Sequence, residues 1–128
     1  MNLLLDTCSF LWASNQPEKL TTLSLGLISA PENSIFLSSA CVWELCVKNR
    51  MGKLDLPRPP REFVQWATNE LRLLPLPLSL EAAALEAGLP VHHRDQFDRM
   101  LVCQALHHGL TILTPDRLIR RYGISCVW

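Results

Sequence analysis

The sequence predicts an α/β protein, built as a three-layer α/β/α fold with a central, mostly parallel sheet. Three observations predict it. Short apolar runs alternate with stretches of helical spacing along the chain. Apolar residues make up 48% and charged residues 19% of the 128, enough to bury a core and unlike a disordered chain. No internal repeat, low-complexity tract or linker breaks the pattern, so residues 1–128 are expected to form a single domain.

The elements follow in order. "NLLL" (Asn2 to Leu5) is an apolar run that stops at Asp6, as a buried strand would. "TCSFLWAS" can wind as a helix after it, and the Leu20 to Ile28 region is also read as helical. "SIFLSSA" is a second strand meeting serines, of which Ser38 or Ser39 can cap the helix "ACVWELCVKNRM". Gly52 can end that helix. "DLPRPPREF" is a proline-rich connection. "REFVQWATNEL" carries Phe63, Trp66 and Ala67 on one helical side. "RLLPLPL" is extended, because each proline disfavours helix in the residue before it. "SLEAAALEAG" joins strong helix formers to a stopping Gly88. A helix from about Asp95 to His108 then ends at Gly109. "LTILT" is a strand, "DRLIRRYG" a short helix and "ISCVW" the last strand.

Several function classes are disfavoured. The apolar runs fall far short of the ~20 residues that span a bilayer. "MNLLLDT" lacks a basic leader and does not read as a signal peptide, so the cytoplasm is the expected compartment. The five cysteines (Cys8, Cys41, Cys46, Cys103 and Cys126) are odd in number and form no CxxC pair. A disulfide framework or zinc site is not expected, and each thiol is read as buried and reduced among apolar neighbours. Net charge is zero, which gives no global argument for nucleic acid.

Four carboxylates fall at corresponding places. Asp6 ends the first strand and Asp116 follows the "LTILT" strand. Glu44 lies in the first two turns of its helix and Asp98 in the first turn of its own. Strands of a parallel sheet share one C-terminal edge, and ligands bind there at the crevice where strand order reverses. Four acids in one crevice repel one another unless a cation neutralises them. Oxygen ligands suit Mg²⁺ or Mn²⁺. Simpler explanations stand beside this one. Asp6 and Asp116 could each cap a helix, and Glu44 could pair with Lys48 four residues on.

"HHRDQFDRMLVCQALHHG" (His92 to Gly109) discriminates better. Asp95 is placed to be the N-cap. Asp98 falls in the first turn, where the helix dipole favours negative charge. It also shares a face with Leu101, Val102 and Ala105, the apolar stripe expected to meet the sheet. Asp95 is therefore assigned to capping and Asp98 to the interior crevice.

"LLLDT", "SSACVWEL", "HHRDQFDRMLVCQA" and "LTILTPD" together resemble, in order and spacing, the PIN-domain ribonucleases, and among them the VapC-type toxins of bacterial toxin–antitoxin pairs. The resemblance extends to "RYGISCVW". It implies that Asp6, Glu44, Asp98 and Asp116 are the family's catalytic, metal-holding acids, with Mg²⁺ or Mn²⁺ as cofactor. It implies endonucleolytic cleavage of RNA, a homodimer, and inhibition by a cognate antitoxin, with no membrane partner. A hydroxyl near the last acid would be Thr114, and one after the first Thr7. Cys8 departs from the His of many relatives, a difference that bears on substrate choice.

Setting those four acids aside leaves 12 basic residues against 8 acidic, a net of +4 elsewhere. Lys48, Arg50, Lys53, Arg58, Arg61, Arg117, Arg120 and Arg121 are candidates to hold RNA phosphates, though each alone reads as an ordinary surface residue. Arg99 is open between the two. The adjacent pairs His92/His93 and His107/His108 lack the i, i+4 spacing of helical metal ligands and are not expected to be catalytic. Trp12, Trp43, Trp66 and Trp128 read as core or interface rather than base-stacking platforms. Two other functions compete. An aspartyl phosphatase would want a second Asp soon after the first, which "DTCSFLW" lacks. A catalytically silent PIN-like module that binds RNA or protein remains compatible with the residues.

Overall fold

The central strand of the sheet is β1 (Asn2–Leu5), and Leu3, Leu4 and Leu5 are all fully buried. Consecutive strand residues face opposite sides, so both faces of β1 are covered. Burial on both faces is the mark of a parallel sheet with helical layers above and below. The computed structural model describes residues 1–128. It places β2 (Ser34–Ser38) and β4 (Thr111–Leu113) on the two sides of β1, with β3 (Leu74–Leu76) and β5 (Cys126–Val127) at the edges. Strand order is β3-β2-β1-β4-β5, and every neighbouring pair is parallel. Leu4 sits level with Phe36 on one side and Ile112 on the other.

Seven helices complete the layers: α1 (Thr7–Asn15), α2 (Thr22–Ser29), α3 (Ser39–Arg50), α4 (Pro60–Glu70), α5 (Leu80–Ala84), α6 (Gln96–His108) and α7 (Arg117–Arg120). Their starts follow local chemistry. Asp6, Thr21, Ser38, Ser79, Asp95 and Asp116 each accept a backbone N–H of the helix they precede. Gly109 ends α6 at a φ of 66°, a left-handed turn that glycine adopts without steric cost. No helix is long and apolar enough to cross a membrane.

Three expectations change. "RLLPLPL" is not merely extended. Its Leu74–Leu76 pairs with β2 as a fifth strand, and Pro75 is tolerated because β3 is an edge. The cysteines are free, but only Cys41 and Cys103 are buried, while Cys8 and Cys126 are half-buried and Cys46 is exposed. On α3, Cys41, Glu44 and Leu45 share the inner face, which turns Trp43 and Cys46 outward. Trp43 is thus 61% exposed, which removes the core reading and leaves the interface one, and it stands edge-on to Phe97 at 5.0 Å.

Candidate active site

From β1 the chain moves one way through β2 and β3, and the other way through β4 and β5. Strand order therefore reverses between β1 and β4, and a crevice opens beyond their C-terminal ends. A cavity of about 440 Å³ occupies this place. Asp6, Glu44, Asp98 and Asp116 all line it, together with Thr7, Lys48, Lys53 and Asp95. Asp6 comes from the end of β1, Glu44 from α3, Asp98 from α6 and Asp116 from the turn after β4.

Asp6 is almost fully buried and uses both oxygens. Its Oδ1 accepts the Ser9 backbone N–H at 2.7 Å, and its Oδ2 accepts the Thr114 hydroxyl at 2.5 Å. Thr114 Oγ1 accepts the Asp116 N–H at 3.0 Å, and Asp116 Oδ1 accepts the Leu118 N–H at 2.8 Å. The helix-capping explanation is thus correct for Asp6 and Asp116, and both still face the crevice. A carboxylate has four lone-pair sites, so capping and ligand duty are compatible. Burial pushes the Asp6 carboxyl above its usual range, against the opposing bonds from Ser9 and Thr114.

Glu44 is buried as well. The Thr7 hydroxyl donates to its Oε1 at 2.5 Å, and Lys48 pairs with its Oε2. The Glu44–Lys48 pair is real and lines the crevice, with Glu44 buried and Lys48 reaching toward solvent. That bond holds the Lys48 ammonium above its ordinary value.

Asp95 caps α6 as expected, accepting the Asp98 N–H at 2.9 Å. Leu101, Val102 and Ala105, on the face of Asp98, are buried. Asp98 is pushed up to about 8, first by burial and then by the charges of Asp95, Asp6, Glu44 and Asp116. Asp95 therefore does more than cap: it lines the same cavity and adds to the local negative field.

These donors suit a hard divalent cation in type: they are all oxygens, and their mutual repulsion is what a cation would relieve. As the side chains stand, no three His, Cys, Asp or Glu groups are close enough to hold one ion together. Hydrogen bonds within the protein hold several of these oxygens instead, the Thr114–Asp6 and Thr7–Glu44 bonds among them. The residues fit the ion in chemistry and location, and side-chain rotation would have to bring them together.

Of the candidate phosphate-holding cations, only Lys48 and Lys53 line the crevice. Arg58 lies over the Trp66 ring at 4.7 Å, and Arg120 reaches the Thr114 carbonyl at 3.4 Å. Arg99, ambiguous in sequence, is buried and committed to Glu86, with bonds of 2.7 and 3.0 Å. His93 approaches Asp98 from outside α6. It lies 3.5 Å from Asp98, a contact made by the loop before α6 and hidden to a search for i, i+4 spacing.

An all-parallel sheet with a carboxylate-lined crevice at its switch point places the protein in the open-sheet α/β class, whose ligand sites lie at the C-terminal ends of the strands. Within that class the family is specific. Residues 3–124 match the PIN domain, and the chain belongs to that family. Solved structures agree on the fold. VapBC2 from Rickettsia felis, bound to a DNA fragment from its promoter, superposes with a TM-score of 0.74 at 16% identity, over 100% of this chain and 99% of that one. DNA-bound VapBC from Salmonella typhimurium gives 0.66 at 22% identity, over 99% and 97%. VapBC-5 from Mycobacterium tuberculosis, a member of the VapBC family of toxin–antitoxin systems, gives 0.60 at 18% identity, over 98% and 95%. No curated protein matches the sequence.

Proposed function

We propose that this chain, acting as one PIN domain, is a Mg²⁺- or Mn²⁺-dependent endoribonuclease and the toxin of a toxin–antitoxin pair. One observation carries the reading: Asp6, Glu44, Asp98 and Asp116, from four separate elements, line one crevice at the switch point of a PIN fold. These four acids would hold the ion. Once bound, a divalent ion supplies charge neutralisation at a phosphate and a more acidic water. The chain's own groups do the rest. Ser9 and Thr114 fix the Asp6 carboxylate, and Thr7 and Lys48 fix Glu44. Lys53, exposed at the rim, attracts RNA phosphates.

The VapBC complexes of similar fold support a cognate antitoxin as partner. A homodimer is part of the reading, with exposed Leu23 and Leu25 of α2 available for contact, and the cytoplasm is its compartment. The test is RNA cleavage by the purified protein with Mg²⁺ or Mn²⁺, with EDTA, and with Asp98→Asn. Cleavage that needs the ion and vanishes in the variant supports the proposal; cleavage that persists after chelation overturns it. The alternative, a catalytically silent RNA- or protein-binding module, draws on the lack of convergence among the side chains. It predicts RNA or antitoxin binding with no cleavage under any ion.

A further inference from the structure

The Nε2 atom of His93 is the one buried side-chain nitrogen or oxygen in the protein without a hydrogen-bond partner. Buried polar atoms are nearly always paired, so such an atom calls for a physical explanation. It is not a loose side chain. His93 Nδ1 is 2.8 Å from the Tyr122 hydroxyl, and the ring stands edge-on to Tyr122 at 5.5 Å. The Tyr122 hydroxyl in turn accepts an N–H of Arg99 at 3.0 Å. Arg99 is itself held by Glu86 and by the Pro90 carbonyl at 2.7 Å.

Arg99 favours one direction for these hydrogen bonds. A guanidinium only donates. The Tyr122 oxygen receives the Arg99 hydrogen and has its own proton to give to His93 Nδ1. A neutral imidazole accepting at Nδ1 carries its hydrogen on Nε2. That N–H points to Asp98, with Oδ2 at 3.5 Å, just beyond a good hydrogen bond.

We propose that His93 is a positioning residue for Asp98: its Nε2–H, aimed by Tyr122 and Arg99, bonds Oδ2 and leaves Oδ1 turned to the crevice. The inference rests on the reading of Asp98 as a metal ligand. Its physical basis is general, since a ligating carboxylate that is hydrogen-bonded from outside is fixed in orientation, and loss of such a partner weakens metal binding by about 10–100-fold. A shift of a few tenths of an ångström brings this contact into hydrogen-bond range. Spacing along α6 could not reveal this, because His93 precedes the helix and reaches Asp98 from outside it.

The experiment is calorimetric titration of the purified protein with Mn²⁺ alone, with no RNA, alongside thermal unfolding without metal. His93→Ala should raise the Mn²⁺ dissociation constant by about 10–100-fold. His93→Gln, whose amide can donate from near the Nε2 position, should recover most of that loss. Tyr122→Phe, which removes only the hydroxyl that sets the tautomer, should shift the constant the same way by less. Parental Mn²⁺ affinity in His93→Ala overturns the proposal, including when its melting temperature falls, since that pattern marks a merely structural side chain. If the alanine variant does not fold, parental affinity in Tyr122→Phe overturns it. Asp98→Asn separates the two levels. Abolished binding there with parental binding in the His93 variants leaves the ligand reading intact and removes His93. Unchanged binding in Asp98→Asn removes both.

Discussion

The hydroxyl of Thr114 donates to Oδ2 of Asp6 at 2.5 Å, across 108 positions of sequence. The same oxygen of Thr114 accepts the backbone N–H of Asp116 at 3.0 Å. One buried side chain thus ties the first carboxylate of the crevice to the backbone of the last acid, Asp116.

Thr114→Val should remove both bonds while keeping the shape of the side chain. The Asp116 N–H loses its partner and Asp6 loses a donor, a cost of about 1–3 kcal/mol in stability. Ion-dependent cleavage should fall in parallel, because Asp6 is no longer held on one side. Thr114→Ser should keep both bonds and most of the activity. Urea unfolding and an RNA cleavage assay on the two variants check this; equal activity in Thr114→Val and the parent would show that Asp6 needs no such tether.

Asp98 and Asp95 should separate by substitution. Asp98→Asn should abolish metal binding and cleavage and leave the fold intact. Asp95→Asn should preserve the cap, since Asn caps about as well as Asp, whereas Asp95→Ala should lose ~0.5–2 kcal/mol. Because Asp95 also lines the crevice, Asp95→Asn additionally reports whether its charge matters to the ion. Strong loss of activity in a folded Asp95→Asn would place it among the working acids.

Without divalent ion, stability should fall as pH rises. Asp98 is pushed up to about 8 from 3.8, chiefly by burial, so the folded protein keeps a proton that the unfolded chain releases near pH 4. The contribution is full below about pH 4 and is lost as pH rises through about 8. Asp6 is shifted in the same direction. Melting temperature measured in EDTA across this window should decline, and Asp98→Asn should flatten the decline. A parental profile in the variant would contradict the shift.

Lys53→Ala should weaken RNA binding about uniformly across sequences. If Lys53 neutralises one phosphate, the slope of log affinity against log salt should become shallower by about 0.7 for a single strand. Binding titrations at several salt concentrations measure it. An unchanged slope would remove Lys53 from the phosphate path.

Leu25→Glu tests the dimer. Leu25 is 45% exposed on α2, beside exposed Leu23. A charge there should shift the protein toward monomer in sedimentation at micromolar concentration, with little effect on folding. A parent that is already monomeric, or a variant that remains a dimer, would move the interface elsewhere.

Strand β1 and helix α6 are legible in the amino-acid sequence by itself. "NLLL" followed by Asp6 is short, apolar and abruptly stopped, and Asp95 to Gly109 carries a cap, an apolar stripe and a left-handed terminator. Such signals are local: periodicity, capping and glycine act within a few residues, so sequence alone determined most of the elements, the α/β class and the candidate acids. The β3 segment reads only as extended in sequence, because its strand character comes from pairing with β2. Capping and crevice cannot be separated by sequence for Asp6 and Asp116, because one carboxylate does both, and the second oxygen of Asp6 is held by Thr114, which only the fold brings near. The places of Arg99, Cys46 and Trp43 depend on which helix face meets the sheet. That of His93 depends on Tyr122, twenty-nine positions away, and on a loop laid against the start of α6. These outcomes belong to tertiary structure for one physical reason: burial and hydrogen-bond partnership are properties of groups distant in sequence that folding alone brings together.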